Sequence, residues 1–421
     1  MATDIVEHES TLSDALLRQL IAVGQVDVLV GLPTLNNATT IIDVVRAINV
    51  CFTRDFPRLR TVMINSDGGS TDGTPELIRS ATFTEADMVQ TSHSLRTLHR
   101  VVVPYHGLPG KHTALHTVFA AGELTQARAL VVVDPSGPAT TAERVTELIH
   151  PIIRGEVEFL TPRYRRHPRD GVLITQLVRP MVRTLYSVAL DEPLGAEFSC
   201  STRFLSHALE QDIWQREAAR FAIDLWLRAE AIANQFPLGQ IWRPATTATG
   251  ARTTLREAVR QVVLSLIESL RAHESFWQRA TGVAELRTWG TDPKAIPDAA
   301  AWDYQALAEQ ARHDILEIKP LLEEVLRTEL VARIMDDWGA ASRLDDELWV
   351  TIVYAFAAAA RHGRHTIEHL ADMFVPLYMW RASAFMSETA LESPAIVQAR
   401  LNSLCETFLR LKPMLVASWS V

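Results

Sequence analysis

Two aspartates in this 421-residue chain stand where short apolar runs give way to turns. In NSDGGSTDGT, residues 65–74, Asp67 closes the run RTVMINSD and is followed by a glycine pair, then Ser70, Thr71 and Asp72. Glycines let a backbone approach a ligand closely, and a carboxylate accepts from the imide N–H of a uracil-like base or from ribose hydroxyls. The same string also reads as a tight turn with a Ser/Thr/Asp helix cap. In GLPTLNNATTI, residues 31–41, Asn36 and Asn37 either line a nucleoside pocket or cap the helix that follows. In ALVVVDPSGP, residues 129–138, Asp134 sits where a buried strand emerges, with Ser136 two residues on. Arg163, Arg165, Arg166 and Arg169 form a basic loop that takes an anion or is merely solvated. His362, His365 and His369 include an i,i+4 pair, a spacing that can hold zinc. No glutamate follows the first of them and Gly363 places the start in a turn, so structural or surface histidines are the expectation.

The elements that must position these residues change character once along the chain. VDVLVGLP, RTVMINSD, RVVVPY and ALVVVD, near residues 26, 60, 100 and 129, are short, β-branched and closed by Gly, Pro or Asp. Helical patterns lie between them, so a mostly parallel sheet is expected, with ligands at the carboxyl ends of its strands. From about residue 250 the strands stop and apolar residues recur at spacings of three and four, the pattern of helices. The expected organisation is an N-terminal helical extension at 1–23, an α/β domain at 24–250 and a helical domain at 251–421, with residues 288–302 the most linker-like stretch. A composition of 48% hydrophobic and 22% charged residues is that of a globular chain with a large core. A net charge of −9 argues against nucleic acid as the main partner. Three scattered cysteines make neither a disulfide framework nor a zinc site and fit a reducing cytoplasm. With no signal-peptide pattern and no apolar run near the ~20 residues of a membrane span, a cytoplasmic protein without a membrane span is expected.

VDVLVGLPTLNNATTI, INSDGGSTDGT, GLPGKHTAL, VVVDPSG, YRRHPRDG, DEPLGAEFS and RFAIDLWL occur in the order seen in GT-A glycosyltransferases of the family-2-like superfamily, over roughly residues 10–280. The chain resembles the glucosyl-3-phosphoglycerate, glucosylglycerate and mannosylglycerate synthases within that group. The resemblance implies a GT-A fold, a Rossmann-like and mostly parallel sheet, followed by an α-helical C-terminal domain. It implies transfer of a hexose, glucose or mannose, from a nucleoside diphosphate sugar to a small acceptor such as a glycerate-type hydroxy acid or a sugar, with retention. The alternative is a catalytically degenerate relative that binds a sugar nucleotide or a partner protein, and a homodimer is allowed for.

Residue by residue, the resemblance places Pro33, Leu35, Asn37, Ser66 and Asp67 around the nucleotide, and Gly110 and Lys111 beside the diphosphate, where an ammonium offsets phosphate charge. Gly195, Ala196 and Glu197 match a turn that binds the transferred sugar, and Asp224 an acidic residue near the acceptor. Lys111, Glu197 and Asp224 are the implied catalytic residues, and Arg166 and Arg169 the implied acceptor contacts. Asp134 matches the first carboxylate of a metal-binding Asp-x-Asp, but Ser136 replaces the second and Thr246 falls where a downstream histidine is expected. A divalent Mg or Mn would then be held weakly, with the substrate's diphosphate supplying other ligands, or be absent. Val172, Leu173 and Ile174 stand where relatives carry hydroxyl-bearing residues.

Overall fold

The computed structural model describes residues 12–81, 99–104, 111–136, 140–215, 219–244, 255–299, 303–341 and 344–420. In chain order the first elements are α1 (Asp14–Val23), β1 (Val28–Thr34), α2 (Ile41–Arg54), β2 (Thr61–Asp67), α3 (Thr74–Ser80), β3 (His99–Pro104), α4 (Lys111–Leu124), β4 (Ala129–Val132), α5 (Ala142–Ile153) and β5 (Phe159–Arg165). Next come α6 (Arg179–Tyr186), β6 (Phe198–Ser201), α7 (Thr202–Leu209), α8 (Ala219–Ala233), β7 (Leu238–Pro244), α9 (Leu255–Ala272), α10 (Glu274–Trp277) and β8 (Thr288–Trp289). The chain ends in α11 (Tyr304–Val325), α12 (Thr328–Ala341), α13 (Asp346–His362), α14 (Ile367–Glu388) and α15 (Pro394–Ser420).

Two compact units result. The first comprises Met1–Pro162, Gly195–Arg220 and Phe236–Ile241, and the second Arg163–Leu194, Phe221–Gln235 and Trp242–Val421. In the first unit, β1 pairs in parallel with β2 and β4, and β2 in parallel with β3. β6 runs antiparallel to β4, and Phe159 and Leu160 of β5 run antiparallel to β6. The strand order is β3-β2-β1-β4-β6-β5-β7. The mostly parallel α/β sheet expected from sequence is present, as is the helical C-terminal region. β5 (FLTPRYR) and β7 (LGQIWRP) interrupt their apolar residues with Pro, Gly and Arg, and β6 has only four residues, so none of the three carries the β-branched run that marks β1 to β4 in the sequence.

Every residue of β2 and nearly every one of β1 is buried, so both faces of the sheet are covered, as parallel strands require. α2 packs on α5, and α4 on α7. The approach of α4 to β1 explains Gly31: a Cβ there would meet Val118 Cγ1 at 2.4 Å. A Cβ at Gly122 would likewise meet Leu205 Cδ1 at 2.6 Å. On α4, His116 stacks on Trp214 with ring centroids 4.8 Å apart and planes within 8°. Burial, reinforced by nearby His112, pushes the His116 pKa down to about 4.

In the second unit α14 is buried without a break from Met373 to Met386, so it is the central helix of an all-α layer. It packs against α9, α11 and α13, while α15 packs against α13 and α6. A five-residue π turn, Ile174–Val178, leads into α6. Pro180 has no N–H to give the carbonyl four residues earlier, so the Gln176 carbonyl is left for another donor. Trp349 Nε1 fills that role at 2.8 Å. The Gln176 side chain accepts from Arg381 Nε at 2.8 Å, and the rest of that buried guanidinium binds the Leu344 carbonyl and Asp346 Oδ1, both at 2.6 Å. Tyr186, His273 and Glu230 form a second buried chain, with 2.8 Å at each link. Among the described residues no helix is long and apolar enough to cross a membrane.

Two outcomes test this packing. Gly31→Ala forces Val118 aside and destabilises the protein by about 1–3 kcal/mol, read from urea unfolding. His116 binds its proton more weakly folded than unfolded, where its pKa is about 6.5. Stability therefore falls as pH drops from about 6.5 toward about 4, and His116→Phe flattens that part of the stability–pH curve.

Candidate functional site

The carboxyl ends of β2, β1 and β4 lie side by side, and the loops leaving them are tied to one another. Asp67, 5% exposed, is the central tie. Its Oδ1 accepts from Thr34 Oγ1 at 2.9 Å and from Ser70 Oγ at 2.6 Å; its Oδ2 accepts from the backbone N–H groups of Gly69 at 3.0 Å and Ser70 at 2.8 Å. Those four donors match the acceptor capacity of a carboxylate. Gly69 and Gly73 have φ of +87° and +85°, which lets the chain fold tightly around it. Asn65 Nδ2 donates to Thr34 Oγ1 at 2.6 Å, extending the tie across the two strands.

The loop after β1 is closed onto the loop after β2 by further bonds. Asn36 N–H donates to Ser70 Oγ at 2.7 Å, and Asn36 Oδ1 accepts from Thr71 N–H at 2.7 Å. Asn37 N–H donates to Thr74 Oγ1 at 2.8 Å, and Ala38 N–H to Asp72 Oδ2 at 2.9 Å. Asn37 Oδ1 accepts from Leu35 N–H at 2.8 Å. Desolvation raises the Asp72 pKa, but hydrogen bonds from Thr74 and the Ala38 amide outweigh it and hold the carboxyl below the ordinary aspartate range. The two readings of these strings thus meet: the polar side chains of Asn36, Asn37, Asp67 and Asp72 are spent on shaping the loops. Pro33 is half-buried beneath them, and the Leu35 side chain is exposed at their edge. Ser66 is fully buried on β2, and its Oγ has no hydrogen-bond partner among the described residues.

Thr40 connects this pair of loops to the third. Its hydroxyl lies 2.7 Å from the Pro135 carbonyl and 3.2 Å from that of Asn37. The third loop is an Asx turn, with Asp134 Oδ1 accepting from the Ser136 N–H at 2.9 Å and from its hydroxyl at 2.6 Å. Ser136 therefore occupies one oxygen of Asp134 through both its amide and its hydroxyl. No group of three His, Cys, Asp or Glu side chains suited to a metal occurs among the described residues. The donor set here fits a cation shared with an anionic ligand and not one held by the protein alone.

Phe198 pairs with Val132, so the Gly195–Glu197 turn enters beside the end of β4 from which Asp134 emerges. Lys111, half-buried, is the first residue of α4, the helix packed over Gly31. Gly110 and Thr246 lie outside the described residues. Arg166, Arg169 and Asp224 belong to the second unit. Arg166 is held by Glu192 at 2.6 Å and lies over the Tyr164 ring at 5.3 Å. Gly171, with φ of +64°, completes that seat, because a Cβ there would meet Arg166 Nη1 at 2.6 Å. Burial pushes the Glu192 pKa up, with Arg166 opposing. Arg169 Nη1 donates to the Ala390 carbonyl at 2.9 Å. Asp224 stands 3.9 Å from the guanidinium of Arg228, which is fully buried, and its carbonyl accepts from Arg228 Nη1 at 2.8 Å. His365 and His369 stack at 5.8 Å on the surface of the helical unit.

The three loops thus form one hydrogen-bonded cluster at the carboxyl ends of parallel strands in an α/β sheet. The chain matches no protein-family model and no curated protein. It is similar in fold to solved structures of glucosyl-3-phosphoglycerate synthase from Mycobacterium tuberculosis. One, in complex with phosphoglyceric acid, is 18% identical with a TM-score of 0.44, the match covering 63% of this chain and 86% of that one. A second, in complex with Mn2+, uridine diphosphate and glucosyl-3-phosphoglycerate, is 19% identical with a TM-score of 0.42 and the same coverage. A mycobacterial protein is 19% identical over 61% of this chain and 78% of its own, with a TM-score of 0.43.

Asp67→Ala leaves the buried hydroxyl of Thr34 and the partly buried amides of Gly69 and Ser70 without their acceptor. The variant loses about 1–3 kcal/mol for the worst-placed of these and gains fast amide exchange at residues 69 and 70, read by hydrogen exchange.

Proposed function

We propose that this chain transfers a hexose, glucose or mannose, from a nucleoside diphosphate sugar to a small hydroxy-acid or sugar acceptor. The observation that carries the reading is the three-loop cluster itself, in which Asp67, Thr40 and the Asp134 turn fix the loops after β2, β1 and β4 against one another. Open α/β sheets bind nucleotides outside the carboxyl ends of their strands. The rim made by Pro33 and the exposed Leu35 offers an apolar wall for a base, and the buried Ser66 hydroxyl lies one strand away in register with Pro33. In this arrangement Asp67 acts by holding the loops in place, because its own oxygens are already used.

In the reaction the bond between the sugar's anomeric carbon and the diphosphate breaks, and one from that carbon to an acceptor hydroxyl oxygen forms. The hydroxyl proton passes to the departing diphosphate or to solvent. Charge must be stabilised on the leaving diphosphate. Lys111 supplies an ammonium at the start of α4, and the helix dipole adds to it. Asp134 would hold one side of a divalent cation, which when bound neutralises diphosphate charge as a Lewis acid. Glu197, in the turn beside β4, is assigned to the transferred sugar. Arg166 and Arg169 are assigned to the acceptor. Asp224, as counter-ion to the buried Arg228, is assigned to keeping that part of the second unit charged and folded.

Calorimetry with UDP, GDP and their glucose and mannose derivatives tests the reading, with and without Mn2+. Nucleotide binding is expected in all cases, with Mn2+ binding appreciable only when nucleotide is present. Asp134→Ala removes that metal-assisted part. Ser136→Asp frees Asp134 Oδ1 from its hydroxyl partner, adds a carboxylate and raises Mn2+ affinity. Failure of every nucleotide and sugar nucleotide to bind overturns the proposal. Binding without sugar transfer to any acceptor marks the chain as a sugar-nucleotide-binding relative that has lost catalysis, a reading favoured by the Ser136 hydroxyl on Asp134.

A further inference from the structure

Besides an arginine-lined cavity at the end of β5, which takes in Arg166, the residue assigned to the acceptor, the second unit contains a groove of about 730 Å³. One wall is a face of α15, where Leu409, Lys412, Pro413, Val416 and Ala417 recur at three- and four-residue spacing and so share one side of the helix. The other wall is the segment 278–283 after α10, with Ser187 at the end of α6. Leu409, Val416 and Val283 are half-buried, while Pro413 and Ala417 are exposed.

The two walls are pinned in place. Trp419 of α15 is buried edge-on against Trp277 of α10, with ring centroids 5.4 Å apart. Ala284 N–H donates to the Ser187 carbonyl at 2.8 Å, and the Ala284 carbonyl accepts from Ala189 N–H at 2.9 Å. Lys412 joins one wall to the other, its Nζ donating to the Ala280 carbonyl at 2.6 Å. A groove fixed on both sides needs little ordering when a ligand enters.

Lys412 is the one charged side chain in the lining, and no carboxylate pairs with it among the described residues. An ammonium has three N–H donors, of which the Ala280 carbonyl takes one. The side chain is half-buried, and burial pushes its pKa down from the ordinary lysine range. A cation that has lost water without gaining a counter-charge is held at a cost, which an arriving anion relieves. Once an anionic head sits on this single ammonium, the rest of the groove offers mainly carbon. The volume lies in the range that encloses small organic ligands.

We propose that this groove binds a fatty-acid-type amphiphile, with its carboxylate on the Lys412 ammonium and its alkyl chain along Val283, Leu409, Pro413 and Val416. Every lining residue belongs to the second unit, and none is assigned to nucleotide, sugar or acceptor. The site therefore stands independently of the reaction proposed at the strand ends of the first unit.

Calorimetry on the full chain with monomeric hexanoate, decanoate and 1-decanol tests the proposal. Saturable one-to-one binding of decanoate is expected, tighter than that of hexanoate by about twofold or more per added methylene. 1-Decanol should bind about tenfold more weakly than decanoate, and Lys412→Met should remove that difference by weakening decanoate alone. Val416→Glu places a carboxylate in the path of the alkyl chain and should weaken acid and alcohol together by about tenfold or more. Lys412→Met should keep the wild-type circular dichroism and nucleotide affinity, so it decides the matter even if Val416→Glu fails to fold. Absence of saturable decanoate binding overturns the proposal, as does wild-type decanoate affinity in Lys412→Met. Equal binding of acid and alcohol by the wild type overturns the carboxylate assignment. Analytical ultracentrifugation tests the rival occupant: a dimer that Val416→Glu dissociates and decanoate does not overturns the proposal in favour of a second copy of the chain.

Discussion

The Asp67 carboxylate is the constraint on which the first unit's loop cluster depends. It is buried at the end of β2 and accepts from both neighbouring loops, so removing it leaves several donors unpaired at once. A buried charge is tolerated when its lone pairs are filled by fixed donors, and here all the donors come from the chain itself. The loop after β1 is thereby fastened to the loop after β2. Thr40 extends the tie to the turn after β4, so the loops at the three strand ends are hydrogen-bonded to one another.

Asp134 shows the same economy. Its turn is closed by Ser136 through backbone and hydroxyl, which gives a rigid loop and takes one oxygen out of reach of a ligand. A second carboxylate at that position would repel the first unless a cation lay between them. The serine relieves that repulsion, so the turn is stable without a metal.

Charge is handled differently in the second unit. Arg381 and the Tyr186–His273–Glu230 chain have internal partners for their buried polar groups and fasten helices together. Arg228 is fully buried with Asp224 beside it. Around the cavity at the end of β5 the pattern breaks, since four guanidinium nitrogens of Arg165, Arg166 and Arg179 are buried without a hydrogen-bond partner among the described residues. That contrast, within one unit and among residues of one type, separates arginines used for packing from arginines left available.

The sequence by itself determined the alternation of strand and helix as far as the strand ending near residue 134, the helical remainder from about residue 250, and the positions of Asp67 and Asp134 at strand ends. Hydrophobic period and turn residues are local properties, and they survive folding unchanged. It did not determine what those carboxylates bind. Asp67 looked equally suited to a base or to a turn, and the choice rested on donors from Thr34, 33 residues away, which only strand pairing brings within 2.9 Å. Likewise the run YRRHPRDG read as a basic loop, while the seat of Arg166 depends on Glu192, and its cavity on α6 and α15. Hydrogen-bond partners and burial are set by residues far apart in the chain, so the roles of these side chains were decided by the tertiary structure.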